Sequence, residues 1–110
     1  MASEEKYLPP LHPGEILRDD FLKPLRMSQS QLARKLGLEP RVVHEVVCGK
    51  RNIDADLAMR LDRCFGMGAQ FWLGLQADFE LDCVRYAERT QSKDRLAFIR
   101  RLRPQGTAAL

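Results

Sequence analysis

SQSQLARKLGLEPRVVHEVVCGKR, residues 28–51, decides the fold. Ser28 and Gln31 have the three-residue spacing of a capping box, in which each side chain meets the other residue's backbone N–H. Leu32 and Leu36 fall one turn apart on one helical face, and Ala33 is small enough to admit a second helix closely. Gly37 stands where a chain leaving a helix needs the left-handed conformation, and Leu38 can fold back as an apolar plug. Pro40 suits the first turn of the next helix, because its missing N–H would be unpaired there in any case. Val43 and Val46 give that helix an inward face, Arg41, His44 and Glu45 lie elsewhere on it, and Gly49 closes it. Two short helices on a Gln29, Ala33, Gly37, Val43, Val46 framework make the helix-turn-helix pattern, whose second helix lies in a DNA major groove.

The flanks read outward from this centre. Residues 1–11 have no apolar period, and Pro9-Pro10 favours an extended, flexible lead-in. His12-Pro13-Gly14-Glu15 opens a helix whose core stripe is Ile16, Leu17, Phe21 and Leu22, and Pro24 is expected to limit it. After the basic connection Lys50-Arg51-Asn52, Asp54 caps a helix over 55–65 with Leu57, Ala58, Leu61 and Phe65 on one side, ended by Gly66. A further helix over about 69–83 carries Phe71, Trp72, Leu75 and Phe79. The ordinary meaning of that stripe is core packing, with at least one of the two large aromatics stapling this helix to the first.

Beyond Tyr86 the pattern weakens. Ser92 can cap one more helix with Leu96, Ile99 and Leu102 on one side. No long period-two alternation predicts a sheet. The expected fold is all-α, a compact bundle of about five helices containing the helix-turn-helix, with a basic C-terminal tail able to form one more. The divisions are 1–11 as a flexible segment, 12–84 as the DNA-binding domain and 85–110 as a basic, partly helical extension.

A chain of 110 residues with 45% hydrophobic residues suffices for one small core. The net charge of +3 is modest, but its distribution is uneven: −2 over 1–25, +4 over 26–51, −4 over 52–84 and +5 over 85–110. Positive charge therefore gathers on the reading segment and the tail, as a polyanionic partner requires. Cys48, Cys64 and Cys83 are odd in number and form no CxxC pair, so neither a disulfide framework nor zinc spacing is present. His12 and Glu15 are spaced as two metal ligands could be, but with no other histidine near them their expected role is structural. No metal or cofactor is expected, no apolar run reaches membrane-spanning length, and a soluble cytoplasmic protein is the default. No nucleophile, base and oxyanion group stand together, which argues against an enzyme.

The pattern assigns contacts. Gln29, at the start of the first helix of the pair, can meet a phosphate together with the free N–H groups of that helix end. On the second helix Arg41 is the foremost base reader, its fork matching guanine O6 and N7, and Val42 can press on a thymine methyl. His44 lies one turn further on, and Glu45 can accept from a cytosine amine or orient Arg41. Lys50 and Arg51 leave toward the backbone and bind phosphates without reading sequence.

Four stretches together, HPGEILRDDFLKPL, SQSQLARKLGL, GKRNIDADLAMRLDRCFG and QFWLGLQADFEL, carry a resemblance. From His12 to about Leu81 the chain resembles the HigA-type antitoxins, within the wider Xre (Cro and lambda-repressor-like) helix-turn-helix proteins. The opening and the FWLGLQ segment are the more specific parts. Where Cys48 stands, this group often has a polar residue such as Asn, and Glu39 and His44 also differ from commoner choices, which implies a distinct operator. The resemblance implies a homodimer that represses its own operon by binding double-stranded operator DNA. It also implies neutralisation, by direct binding, of a HigB toxin, a RelE-like ribosome-dependent mRNA interferase. Two rivals remain open: an orphan Xre regulator with no toxin, and a helical adaptor that binds only protein through the Phe71–Phe79 stripe or the tail.

Overall fold

The structure, a computed structural model, describes residues 8–90 and 96–102. Five helices follow in chain order, and no strand occurs among the described residues. Helix α1 joins Pro13–Ile16, a π-helical stretch Leu17–Leu22 and Lys23–Leu25; α2 is Gln29–Leu36, α3 Pro40–Val47, α4 Ala55–Phe65 and α5 Ala69–Thr90.

The local rules operate at each boundary of the central pair. Ser28 Oγ accepts from the Gln31 N–H at 3.0 Å, and Gln31 Oε1 accepts from the Ser28 N–H at 2.8 Å. Gly37 takes φ +72°, and the Leu38 N–H donates back to the Ala33 carbonyl at 2.9 Å, so the turn closes with Leu38 packed against the core. Asp54 Oδ1 caps α4 through the Leu57 N–H at 2.9 Å.

Three expectations change. Pro24 does not stop α1, which continues to Leu25. A proline ring normally strikes the carbonyl four residues back. Here the preceding turn is wide, with the Lys23 N–H donating to the Arg18 carbonyl five residues back, and the helix accommodates the proline. It then ends on Arg26, held at φ +52° with no glycine to ease it, while the Met27 N–H donates to the Leu22 carbonyl. Helix α5 runs seven residues past position 83, to Thr90. The additional tail helix is absent over 96–102, where Leu96, Ile99 and Leu102 are exposed in a turn and irregular chain, so no buried face rewards helix formation. Its proposed cap, Ser92, lies outside the described residues.

The core gathers Leu17 and Leu22 of α1, Leu32, Ala33 and Leu36 of α2, Val43 and Val46 of α3, Leu57 and Leu61 of α4, and Trp72 of α5. Burying each of the leucines contributes about 1.5–3 kcal/mol relative to leaving it in water. The aromatic staple forms as the sequence predicts: Trp72 is fully buried, with Phe21 of α1 at a ring-centroid distance of 4.9 Å and Phe71 at 5.0 Å.

The start of α1 is built against the end of α3. His12 caps α1, its Nδ1 accepting the Gly14 N–H at 2.8 Å, and Glu15 completes a capping box by accepting from the His12 N–H at 3.4 Å. Two residues on, a Cβ on Gly14 would overlap the carbonyl oxygen of Val46. The His12 ring also lies in van der Waals range of the position a Cβ on Gly49 would take. His12 is only 5% exposed, meets Phe79 edge-on at 4.8 Å, and its Nε2 has no hydrogen-bond partner among the described residues. Burial therefore pushes its pKa below the ordinary histidine value, outweighing the opposing pull of Glu15.

Two measurements check this packing. Gly14→Ala should lower stability in urea unfolding by roughly 1–3 kcal/mol or more, because the methyl must displace a backbone carbonyl and not a mobile side chain. His12 should make folding pH-dependent. Above about pH 6.5 it is neutral in both states; as pH falls below that, the unfolded chain gains a proton that the folded chain refuses, so stability falls. His12→Asn keeps the cap acceptor and should flatten this loss between about pH 7 and 5.5; an unchanged slope would exclude His12 as its source.

Candidate nucleic-acid interface

Helices α2 and α3 present one polar face. Gln29, in the first turn of α2, is half-buried, and its Oε1 lies 3.1 Å from Nδ1 of the exposed His44 on α3. A carbonyl oxygen can only accept, so this contact places a proton on Nδ1. One turn further along α3, Cys48 Sγ lies 3.4 Å from His44 Nε2, and that thiol is exposed.

Beside this row is an ionic cluster. Glu45 Oε2 accepts from Arg41 Nε at 3.1 Å, while its Oε1 accepts from Arg51 Nε at 2.9 Å and Nη2 at 2.7 Å. Hydrogen bonds from Arg51 first and Arg41 second hold the Glu45 carboxyl below the usual carboxylate range. The Arg41 side chain is nevertheless 80% exposed, so its guanidinium retains free donors toward solvent. Surface pairs of this kind add little stability, and their main consequence is orientation.

The end of α3 aims the basic exit. Gly49 takes φ +78°, its N–H donates to the Val46 carbonyl at 3.0 Å, and the Lys50 N–H reaches back to the Glu45 carbonyl at 2.8 Å. Lys50 is exposed and forms no ion pair with any described residue. Among the residues singled out by sequence, Gln29 and His44 are thus brought together, as are Arg41, Glu45 and Arg51. Val42 is half-buried on the flank of α3, less open than Arg41 or His44.

Several supporting residues escape a sequence reading. Gln76 is 5% exposed within the apolar stripe of α5; its Oε1 accepts the buried Ile53 N–H at 2.8 Å and its Nε2 donates to Glu80 at 3.0 Å. This anchors the connection just after Lys50 and Arg51 to α5. Arg60 of α4 donates to the Leu36 carbonyl at 2.6 Å, satisfying one of the open carbonyls at the end of α2. The signals were a lone amide four residues after Trp72 on an otherwise apolar face, and an arginine on the core-bearing α4.

Nothing here forms a metal centre. His12 Nδ1 is occupied as a cap, and no group of three or more His, Cys, Asp or Glu side chains suited to a metal occurs among the described residues. No described helix is long and apolar enough to cross a membrane.

Comparison with known proteins places this geometry. No protein-family model matches the chain. Over 74 residues it is 46% identical to virulence-associated protein I of Dichelobacter nodosus, an alignment covering 67% of this chain and 68% of that protein. Among solved structures, the Pseudomonas aeruginosa antitoxin HigA with the higBA promoter superposes with a TM-score of 0.70 at 43% identity, covering 76% of this chain and 91% of that one. The antitoxin GraA in complex with its operator superposes with a TM-score of 0.74 at 36% identity, covering 88% and 95% of the two chains. At these identities and coverages, the chain belongs to the HigA-type antitoxins of the helix-turn-helix regulators.

Proposed function

We propose that this chain is a DNA-binding antitoxin that represses its own toxin–antitoxin operon as a homodimer and neutralises a HigB/RelE-like mRNA interferase by direct binding. The observation that carries the DNA half is the shared face of Gln29, Arg41, His44, Glu45, Lys50 and Arg51 on α2, α3 and the exit of α3. Solved relatives bound to a promoter and to an operator support a DNA-binding role for the chain.

In this mechanism the N-terminal half of α3 enters the major groove and Arg41 bonds a guanine edge. Glu45 holds Arg41 and Arg51 before contact, which limits the rotamer entropy lost on binding. Gln29 and the first N–H groups of α2 meet the phosphate backbone, with Lys50 and Arg51 on the neighbouring phosphates. Val42 flanks the reading edge, where a thymine methyl fits. A two-fold dimer sets two α3 helices one DNA turn apart. Leu81 and Val84, exposed and three apart on α5, supply apolar surface for a second copy. Toxin neutralisation would be by protein contact alone, with no catalytic group from this chain.

Three experiments test the reading. Arg41→Ala should cost about 1–3 kcal/mol on the chain's own promoter DNA and relax preference at one base position, read by competitive gel shift. Equal affinity and preference would remove Arg41 from base reading. Lys50→Ala should weaken all sequences alike and lower the salt slope by about one unit in a titration at several salt concentrations. Co-expression with the neighbouring toxin-like reading frame tests the second half: growth arrest relieved by this chain supports the antitoxin role, and unrelieved arrest leaves the regulator alone.

A further inference from the structure

We propose that His44 is a specificity-determining residue that reads the exocyclic amine of a base, cytosine above adenine, through the lone pair on its Nε2. Gln29 is the positioning residue that sets the tautomer. The base contact rests on the nucleic-acid reading above; the tautomer stands on the geometry of the chain alone.

Two neighbours hold the imidazole. At its edge, Gln29 Oε1 stands 3.1 Å from Nδ1 and, able only to accept, keeps the ring proton there. Over its face lies the Cys48 sulfur, 3.4 Å from Nε2 and 3.9 Å from Nδ1. A sulfur on the Nε2 lone-pair axis would stand much farther from Nδ1 than from Nε2, so these similar distances place it above the ring. The Nε2 lone pair lies in the ring plane, accepts from no nitrogen or oxygen donor among the described residues, and belongs to an exposed residue. Imidazole in water favours its proton on Nε2, so the contact from α2 inverts the resting tautomer. The chain's other histidine has the opposite arrangement: His12 Nδ1 accepts the Gly14 N–H at 2.8 Å, which leaves its proton for Nε2.

An acceptor is what this face otherwise lacks. The polar side chains of α3 are Arg41, His44 and Glu45; Arg41 only donates, and both Glu45 oxygens already accept from Arg41 and Arg51. Lys50 and Arg51, beyond the helix, also only donate. Such donors suit guanine and phosphate and cannot bond a base amine. In the major groove the exocyclic amines are cytosine N4 and adenine N6, whereas guanine and thymine present acceptors that would oppose the Nε2 lone pair. Adenine also sets its N7 acceptor beside the amine, and cytosine does not, so cytosine is the better fit. His44 follows Arg41 by three residues, and both are exposed, so the two share one side of α3 and reach nearby base pairs.

The test has two arms, both on the full chain at about pH 8, where histidine side chains are ordinarily neutral. In nitrogen-15-labelled protein, two-bond proton–nitrogen correlation should show a protonated Nδ1 and a pyridine-type Nε2 for His44, the reverse of His12. Gln29→Ala should return the His44 proton mainly to Nε2. A parent His44 protonated on Nε2 would overturn the proposal whether or not DNA binds. In the second arm, promoter DNA varied one base pair at a time competes in gel shifts. The parent should favour cytosine, with adenine next, over guanine and thymine at one position by about fivefold or more. His44→Ala should level that position and keep the guanine preference set by Arg41, while His44→Arg, which presents only donors, should turn it to guanine. Gln29→Ala should weaken binding to every sequence and also narrow this one ratio, which loss of a phosphate contact alone would leave unchanged. Circular dichroism verifies that the variants are folded. Equal base profiles for the parent and His44→Ala, or a His44-dependent preference for guanine or thymine, would overturn the proposal and leave the DNA reading in place. If the parent forms no salt-sensitive complex with that DNA, the nucleic-acid reading and the base contact fall together.

Discussion

The close approach of Gly14 to the Val46 carbonyl is the constraint on which the reading face depends. A recognition helix is useful only if its exposed side is held at a fixed angle to the rest of the molecule. Here α1 reaches the last turn of α3 without an intervening side chain, and a methyl at position 14 would overlap backbone. The His12 cap fixes where α1 begins, and its ring fills the space beside Gly49 at the exit of α3. From α5, Gln76 takes the Ile53 N–H and anchors the chain that follows Lys50 and Arg51. The HPGE opening and the FWLGLQ segment, far apart in sequence, therefore do one job: they set the C-terminal end of α3 and the chain that leaves it.

With the backbone held, charge can be arranged on the surface at little cost. Glu45 serves two arginines, one inside α3 and one beyond its end, so the direction of each depends on the other. These bonds are solvent-exposed and add little to stability, but they reduce the number of orientations Arg41 and Arg51 occupy. The Gln29–His44 contact joins α2 to α3 in the same way. The face thus carries two polar clusters, Gln29 with His44 and Arg41 with Glu45 and Arg51, on a rigid support.

What was legible in the sequence was local. Ser28 with Gln31, Gly37, Asp54 and Gly66 mark helix ends because capping and left-handed exits act over three to six residues. The apolar spacing of Leu32 and Leu36, Val43 and Val46, and Leu57 and Leu61 identified the buried faces, since a helix brings those positions together wherever it sits. Pro24 misled because its local effect is to break a helix, and only the wide turn ahead of it, within α1 packed by Leu17 and Leu22, absorbs the ring. The tail misled for the converse reason: Leu96, Ile99 and Leu102 have helical spacing but no face to bury against.

The amino-acid sequence by itself determined an all-α helix-turn-helix chain, its cap residues, and a cation-rich reading segment. Residue type and spacing suffice for those properties. Only the tertiary structure decided that His12 is a buried cap, that Gln76 holds the connection after α3, and that Glu45 joins Arg41 to Arg51. It alone also set His44 between Gln29 and Cys48. Each of these depends on the packing angles of helices or the path of a connection between them. The stretch from Ser28 to Arg51 names the reading face, but its geometry comes from residues 12–14 and 72–80 packed around it.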